Sequence, residues 1–221
     1  MKKIFLIPVI ASLAFACNNP KNADEAQTGD AQKAAAASGA VYEVKSESKV
    51  DWRGVKPTGE HVGTAQISDG QVQVADGSIT GGKVTIDLNS IVNHDLEGDM
   101  NARLVGHLKS EDFFYVEQYP TAVFELVSLK PVEAGAPEGG IAPNYEITGN
   151  LTMRGETKSI TIPAAISVTG NEVAVVTNEF AIDRTLWGVN FKSKKVFAEL
   201  KDDFINDMIN LKFDVTFVPE S

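Results

Sequence analysis

The sequence contains only one cysteine, Cys17, among 221 residues. This excludes an internal disulfide framework, a paired-cysteine redox site and a zinc site built from several thiolates. Basic residues are also scarce, because 20 lysines and arginines stand against 30 acidic residues and leave a formal charge of −10. No nucleic-acid partner is therefore expected, since phosphate contacts need a basic face.

Signatures of catalysis are missing as well. The three histidines are far apart in the sequence, and no HExxH, GxSxG or P-loop pattern occurs. An acidic cluster beside His94, at positions 95, 97 and 99, lacks the spacing of a calcium-binding loop and is interpreted as a solvated helix start. We therefore predict neither an enzyme nor a resident cofactor or metal.

The first 16 residues have the pattern of a signal peptide. Two lysines precede an uncharged run, Ile4–Ala16, which is too short to span a bilayer as a helix. Ala14-Phe15-Ala16 then leads directly into Cys17. The arrangement resembles a bacterial lipoprotein signal, in which the cysteine is lipidated and becomes the new N-terminus; the alternative is an ordinary secretory signal cut at the same bond. Both predict export, and the first predicts a periplasmic or outer-membrane protein anchored through Cys17.

Residues 17–40 are predicted to form the lipidated cysteine and a flexible tether. Between positions 18 and 40 the sequence has no large apolar or aromatic side chain. Such a segment cannot bury enough apolar area to offset the entropy of ordering it.

Apolar and polar residues alternate through most of the segment 41–219. This period of two is typical of antiparallel strands with one face in the core and one in water. Turn signals such as Asp69-Gly70 and Asp76-Gly77 separate the strands. The strands are predicted at 41–55, 60–68, 71–75, 78–89, 121–130, 144–153, 157–168, 172–183 and 207–218. The sequence therefore predicts an all-β domain, a meander or an up-and-down barrel of about eight strands.

One segment has a helical period instead. Leu96, Met100, Leu104 and Leu108 recur every four residues, which places them on one face of a short helix. Three aromatic residues follow, at positions 113–115. We expect the helix to close one end of the barrel, with its apolar stripe in the core and the aromatics either in the core or at the mouth of a cavity.

Four segments, in order, resemble the motifs of the YceI-like family. Members of this family are bacterial exported proteins with a lipocalin-like barrel that binds polyisoprenoid-type lipids. They are VDWRGVKPTGEHVG at 50–63, HLKSEDFFYVEQYP at 107–120, GNLTMRGETK at 149–158 and FAIDRTLWGV at 180–189. The resemblance implies an antiparallel lipocalin-like β-barrel over residues 41–219, with no established catalytic activity.

The resemblance also implies a ligand, a long apolar isoprenoid-type lipid or quinone held inside the barrel for transport, storage or sequestration. A continuous apolar tunnel is then expected. The residues predicted to line it, each of which is alternatively an ordinary core residue, are Trp52, Leu104, Phe113, Phe114, Phe124 and Phe180.

Two other functions stay open on the sequence alone. An enzyme acting on an amphiphilic substrate would require His61 or His107 to meet an acid inside the cavity. A ligand-free interaction module of the cell envelope would instead have a closed interior and an exposed apolar patch. A homodimer formed by pairing of the C-terminal strand is a further expectation.

Overall fold

The computed structural model describes residues 23–220, so the predicted signal peptide and Cys17 lie outside the described residues. This part of the chain contains one α-helix, α1 (Gly98–Lys109), and a short 3-10 helix at Arg184–Trp187. Among residues 23–220, no helix has the length and apolar character needed to cross a membrane. The strands are β1 (Asp24–Glu25), β2 (Gln27–Asp30), β3 (Ala40–Val44), β4 (Lys49–Lys56), β5 (Gly59–Ala75), β6 (Ser78–Asn93), β7 (Thr121–Pro131), β8 (Tyr145–Met153), β9 (Glu156–Val168), β10 (Val173–Thr177), β11 (Phe180–Asp183) and β12 (Met208–Pro219).

The strands close into an antiparallel barrel. From β5 to β10 each strand pairs with the next one in the chain. Strand β12 pairs with β10 and β11 on one edge and with β3 and β4 on the other, and both of these pair with β5. Because β3 and β4 share one position, as do β10 and β11, the main wall has eight positions. The predicted all-β, lipocalin-like barrel with a short helix is confirmed.

Strand β12 shows how the alternating pattern builds this wall. Ile209, Phe213, Val215 and Phe217 are buried inside the barrel, while Lys212 and Asp214 between them are exposed. Both edges of the strand are occupied by neighbours within the same chain. The expected route to a homodimer, through an open edge of the C-terminal strand, is therefore wrong.

Two predicted strands, 60–68 and 71–75, are one continuous strand, β5. The register with β6 moves from Ile67 opposite Ile86 to Asp69 opposite Thr85, which skips Ser68 in a β-bulge. A Cβ atom at Gly70 would lie 2.7 Å from the carbonyl oxygen of Lys83. Asp69-Gly70 therefore marks a close approach of two strands, and its interpretation as a turn is wrong.

The N-terminal part of the described chain is not a free tether. Strand β1 pairs in parallel with β11, and β2 pairs in antiparallel fashion with the first half of β9. The segment therefore fills a gap in the wall between β9 and β11, and Ala26 between the two strands is only 5% exposed. The prediction of a flexible tether is wrong for residues 24–38; residues 17–22 lie outside the description.

Beyond β2 the chain crosses the outer surface of the barrel. The N–H and C=O groups of Gln32 bond to the side chain of Asn150 on β8. The N–H of Ala35 then donates to the carbonyl oxygen of Leu126 at a bulge in β7. Small residues allow this close crossing, and a Cβ at Gly81 would lie 2.5 Å from the Cβ of Ala37. Residues 24–38, called here the N-terminal strap, are therefore held by the backbone pairing of β1 and β2 and by the bonds of Gln32 and Ala35 to the barrel wall.

Helix α1 contributes less to the core than its pattern predicts. Leu108 is buried and Leu104 is half-buried against the core, but Met100 is 64% exposed. The apolar stripe is therefore buried only in the last turns of the helix. There the chain continues into Phe113 and Phe114, which pack against the barrel interior.

Candidate functional site

The barrel interior contains two apolar cavities. The one nearer α1, called here the helix-side cavity, has a volume of about 80 Å³. The one nearer the β5–β6 hairpin, called here the hairpin-side cavity, has a volume of about 60 Å³. The helix-side cavity is lined by Val50, Trp52, Arg53, Gly54, Ala65, Ile86, Leu88, Ile91, Leu108, Phe113, Phe114, Ala122, Leu151, Met153, Ile209, Leu211 and Phe213. The hairpin-side cavity is lined by Val72, Ile79, Gly82, Lys83, Val84, Phe124, Leu126, Leu129, Ile147, Ile162, Ile166, Val175, Phe213, Val215 and Phe217.

One residue, Phe213, borders both cavities, and no other described residue is common to the two linings. Its ring meets those of Phe124 and Phe180 edge to face, with centroids 5.7 and 5.5 Å away. The expectation of one continuous apolar tunnel is therefore wrong for this arrangement of side chains. The interior is divided at Phe213.

Trp52 lies in the wall of the helix-side cavity. A Cβ at the neighbouring Gly63 would lie 2.5 Å from the indole ring, so only glycine leaves room for the ring there. The buried indole N–H of Trp52 has no acceptor among the described residues. An unpaired buried donor is rare in a folded protein and calls for a functional or structural explanation.

Part of the wall of the helix-side cavity is accessible to solvent. Trp52, Arg53, Gly54 and Phe114 are lining residues that keep partial exposure to solvent. Arg53 points to the outer surface, where its guanidinium group bonds to both carboxylate oxygens of Glu179. These bonds contribute to a raised pKa of the arginine. The charge is thus neutralised outside the apolar interior.

The six residues predicted to line the ligand tunnel lie in different parts of the structure. Trp52, Phe113 and Phe114 line the helix-side cavity, whereas Phe124 lines the hairpin-side cavity. Phe180 packs against Phe213 but lines neither. Leu104 packs against the core and also lines neither.

Sequence reasoning missed Phe213, although it lies in the alternating segment 211–217. The pattern places it on the apolar face. The alternating pattern does not show which inward-facing residues contact each other across the barrel, because those contacts depend on the register between paired strands. The structure shows the reason for its position: its N–H donates to the buried hydroxyl of Thr177, 2.9 Å away, where pairing of β12 passes from β10 to β11.

A polar pair lies at the rim of the barrel. Nδ1 of His61 is 2.7 Å from a carboxylate oxygen of Asp95, whose other oxygen accepts from the N–H of Val62. Desolvation acts to raise the pKa of Asp95, but the bonds from Val62, His61 and Asn93 outweigh it and lower the pKa to about 2. The contacts join the start of β5 to the chain after β6.

Neither histidine named for the enzymatic alternative lines the two cavities. His61 and Asp95 keep side-chain exposures of 24% and 30%. His107 packs instead against the rings of Phe191 and Phe113. Within residues 23–220 there is also no cluster of three metal-binding side chains.

The motif at 180–189 fixes the long connection between β11 and β12. The fully buried guanidinium of Arg184 donates to the carbonyl oxygens of Val189, Ile205 and Asn206, which lie at the two ends of that connection. Burial lowers the pKa of Arg184, and the nearby carboxylate of Asp207 opposes this. The arginine thus has a structural role in holding the connection.

Its neighbours in the motif have similar roles. Asp183 accepts from the N–H and hydroxyl of Thr185 at the start of the 3-10 helix, and it also binds Lys195. The indole N–H of Trp187 donates to the carbonyl oxygen of Leu151 in β8. These contacts attach the connection to the same end of the barrel as the helix-side cavity.

Comparison with known families now identifies the domain. The model of the YceI-like domain matches residues 42–217. The chain belongs to the YceI-like family. The family resemblance of the sequence motifs is thus confirmed.

Known proteins agree with this assignment. A UPF0312 protein of Pseudomonas paraeruginosa is 39% identical over 90 residues, which make up 41% of this chain and 39% of that protein. The matched part thus spans about two fifths of the relative's length. The crystal structure of BcnA from Burkholderia cenocepacia has a TM-score of 0.56 at 22% identity, covering 77% of this chain and 96% of that one. A polyisoprenoid binding domain from Saccharophagus degradans also gives 0.56, at 15% identity, covering 81% and 98%. At these identities the two structures establish a common fold.

Proposed function

We propose that this YceI-like protein is an exported, lipid-anchored carrier that holds a long apolar isoprenoid-type lipid or quinone inside its barrel. The observation that carries the proposal is the pair of interior cavities, whose walls consist almost entirely of apolar side chains. Polyisoprenoid is also the ligand class named for the Saccharophagus degradans domain, which has the same fold. The lipid would be held for transport, storage or sequestration, without chemical conversion.

Hydrophobic burial supplies the binding energy in this proposal. Each methylene group removed from water contributes about 0.8 kcal/mol, so an isoprene unit contributes a few kcal/mol. The present cavities, about 80 and 60 Å³, are smaller than an apolar cavity of about 150 Å³ that holds benzene. A long chain must therefore displace interior side chains.

The proposed anchor at Cys17 is close in sequence to the first strand of the barrel wall. If Cys17 carries the anchor, only residues 18–23 separate it from β1. A stretch of this length reaches about 20 Å when fully extended. The barrel would then remain close to the membrane surface, with the N-terminal strap joining the anchor directly to the wall.

Mass spectrometry tests the ligand. We would purify the full chain from its native envelope under non-denaturing conditions and then identify lipids in the intact complex and in a solvent extract. An isoprenoid or quinone at about one molecule per chain is expected. The Ala65→Leu variant, which adds carbon atoms to the helix-side cavity, should carry less lipid. Ala174→Leu, on the outer face of β10, is the matched control. Protein free of lipid in every preparation would contradict the proposal.

The anchor is tested separately. Mature protein should partition into detergent, and its N-terminal peptide should carry acyl chains on Cys17. The Cys17→Ala variant should lose both properties. An unmodified Cys17 in exported protein would support an ordinary secretory signal, and would leave the test of the ligand unaffected.

A further inference from the structure

We infer that Phe213 is a movable partition between the two cavities. Its position determines how much the binding affinity for a lipid increases with the length of the lipid tail. The inference rests on the proposed lipid-binding function and adds a specificity-determining residue to it. In the structure the ring of Phe213 separates the helix-side cavity from the hairpin-side cavity. A tail that enters through the helix-side cavity must displace this ring before it can occupy the second cavity.

The surroundings of Phe213 fix its backbone and pack its ring. The N–H of Phe213 donates to the hydroxyl of Thr177, a residue that is only 1% exposed, so the main chain is held at this point. The ring has two edge-to-face aromatic neighbours, Phe124 and Phe180. Edge-to-face pairs are favourable, so moving the ring of Phe213 out of this arrangement costs free energy. Side-chain rotation about a fixed backbone is therefore the movement that opens the passage.

The two cavities suit successive parts of one apolar chain. The helix-side cavity has lining residues that are partly exposed to solvent, such as Trp52 and Phe114, and this favours the head of an amphiphile at this cavity. The hairpin-side cavity is lined by aliphatic and aromatic groups such as Leu126, Ile162 and Val175. A short tail gains nothing from this second cavity, whereas a longer tail gains its burial only after displacing Phe213.

Phe217 provides a matched control on the same strand. It faces the same interior, is 3% exposed against 5% for Phe213, and borders only the hairpin-side cavity. Replacing Phe217 by alanine enlarges one cavity and leaves the partition in place. Replacing Phe213 by alanine removes the partition itself.

The first measurement needs no lipid. Crystals of the wild type, Phe213→Ala and Phe217→Ala are placed under xenon pressure, because xenon enters dry apolar cavities. Separate xenon sites are expected in the wild type and in Phe217→Ala, and one continuous site in Phe213→Ala. Cavities that stay separate in Phe213→Ala would overturn the partition. If that variant does not fold, Phe213→Leu, which removes the ring but keeps an apolar side chain, is used in both measurements.

The second measurement compares the affinities of farnesol and the longer geranylgeraniol by titration of tryptophan fluorescence, since Trp52 lies in the helix-side cavity. In Phe213→Ala the preference for the longer alcohol should rise at least tenfold relative to the wild type. In Phe217→Ala it should change by less than threefold. Equal changes in the two variants would overturn the inference. Joined xenon sites without binding of either alcohol to any variant would overturn the proposed function, and the length selectivity with it.

Discussion

Gly149 of β8 has no side chain at the place where the ring of Phe124 on β7 lies. A Cβ atom there would be 2.1 Å from Cζ of the ring. The glycine therefore lets Phe124 lie across the neighbouring strand and reach Phe213. This explains the glycine at the start of the motif at 149–158 by packing inside the barrel, since the position is in the middle of a strand rather than in a turn.

Gly149→Ala should lower the free energy of unfolding by about 1–3 kcal/mol, because overpacking forces the ring from its place. Urea denaturation measures the change. Gly54→Ala in β4 is the matched control, since a Cβ there meets no atom within 4 Å. The control should be neutral or slightly stabilising. Restored stability in Gly149→Ala/Phe124→Leu would support the clash, and equal effects of the two single changes would contradict it.

The barrel could be predicted from sequence because one pattern, the alternation of apolar and polar residues, determines which side of each strand faces the core. The alternation puts Phe213 and Phe217 on the same apolar face of β12. Their different roles could not be predicted, because contacts across the barrel depend on register and on the bulges that change it. The N-terminal strap cannot be predicted for another reason: its bonds to the wall are made by its own backbone groups, and the hydrogen-bonding capacity of the backbone is almost the same in every sequence.

Asn150→Ala should release the N-terminal strap, since the Asn150 side chain bonds to both backbone groups of Gln32. We expect a loss of about 1–2 kcal/mol in the free energy of unfolding, typical of lost hydrogen bonds with partly buried partners. Hydrogen exchange should accelerate at residues 27–38 and remain slow in β12. Thr148→Ala is the control, because Thr148 is also on the outer face of β8 but bonds to Thr161 in β9. Fast exchange of residues 27–30 in the wild type would contradict their pairing with β9.

Arg184→Met should destabilise the connection between β11 and β12. The change leaves three carbonyl oxygens without their donor and Asp207 without its counter-charge, so we expect a loss of about 3–5 kcal/mol. Arg184→Lys should rescue little, because one ammonium group cannot reproduce the planar fork of the guanidinium. Urea denaturation and hydrogen exchange across residues 190–206 measure both effects. Arg103→Met, on the exposed face of α1, should change neither.

Asp95→Asn should make the free energy of unfolding less dependent on pH in the acidic range. The pKa of Asp95 is lowered from 3.8 to about 2 in the folded protein, so its ionised form stabilises the fold at pH values above 3.8. This contribution declines as the pH falls from 3.8 towards 2, where the folded protein also takes up the proton. The wild type should therefore exceed Asp95→Asn in the free energy of unfolding at pH 6, and the difference should shrink towards pH 2. Asp99→Asn, in the exposed first turn of α1, is the control and should track the wild type. A difference that is constant between pH 6 and pH 2 would show that Asp95 acts through shape alone, and that its bonds to Val62 and His61 do not favour the charged form.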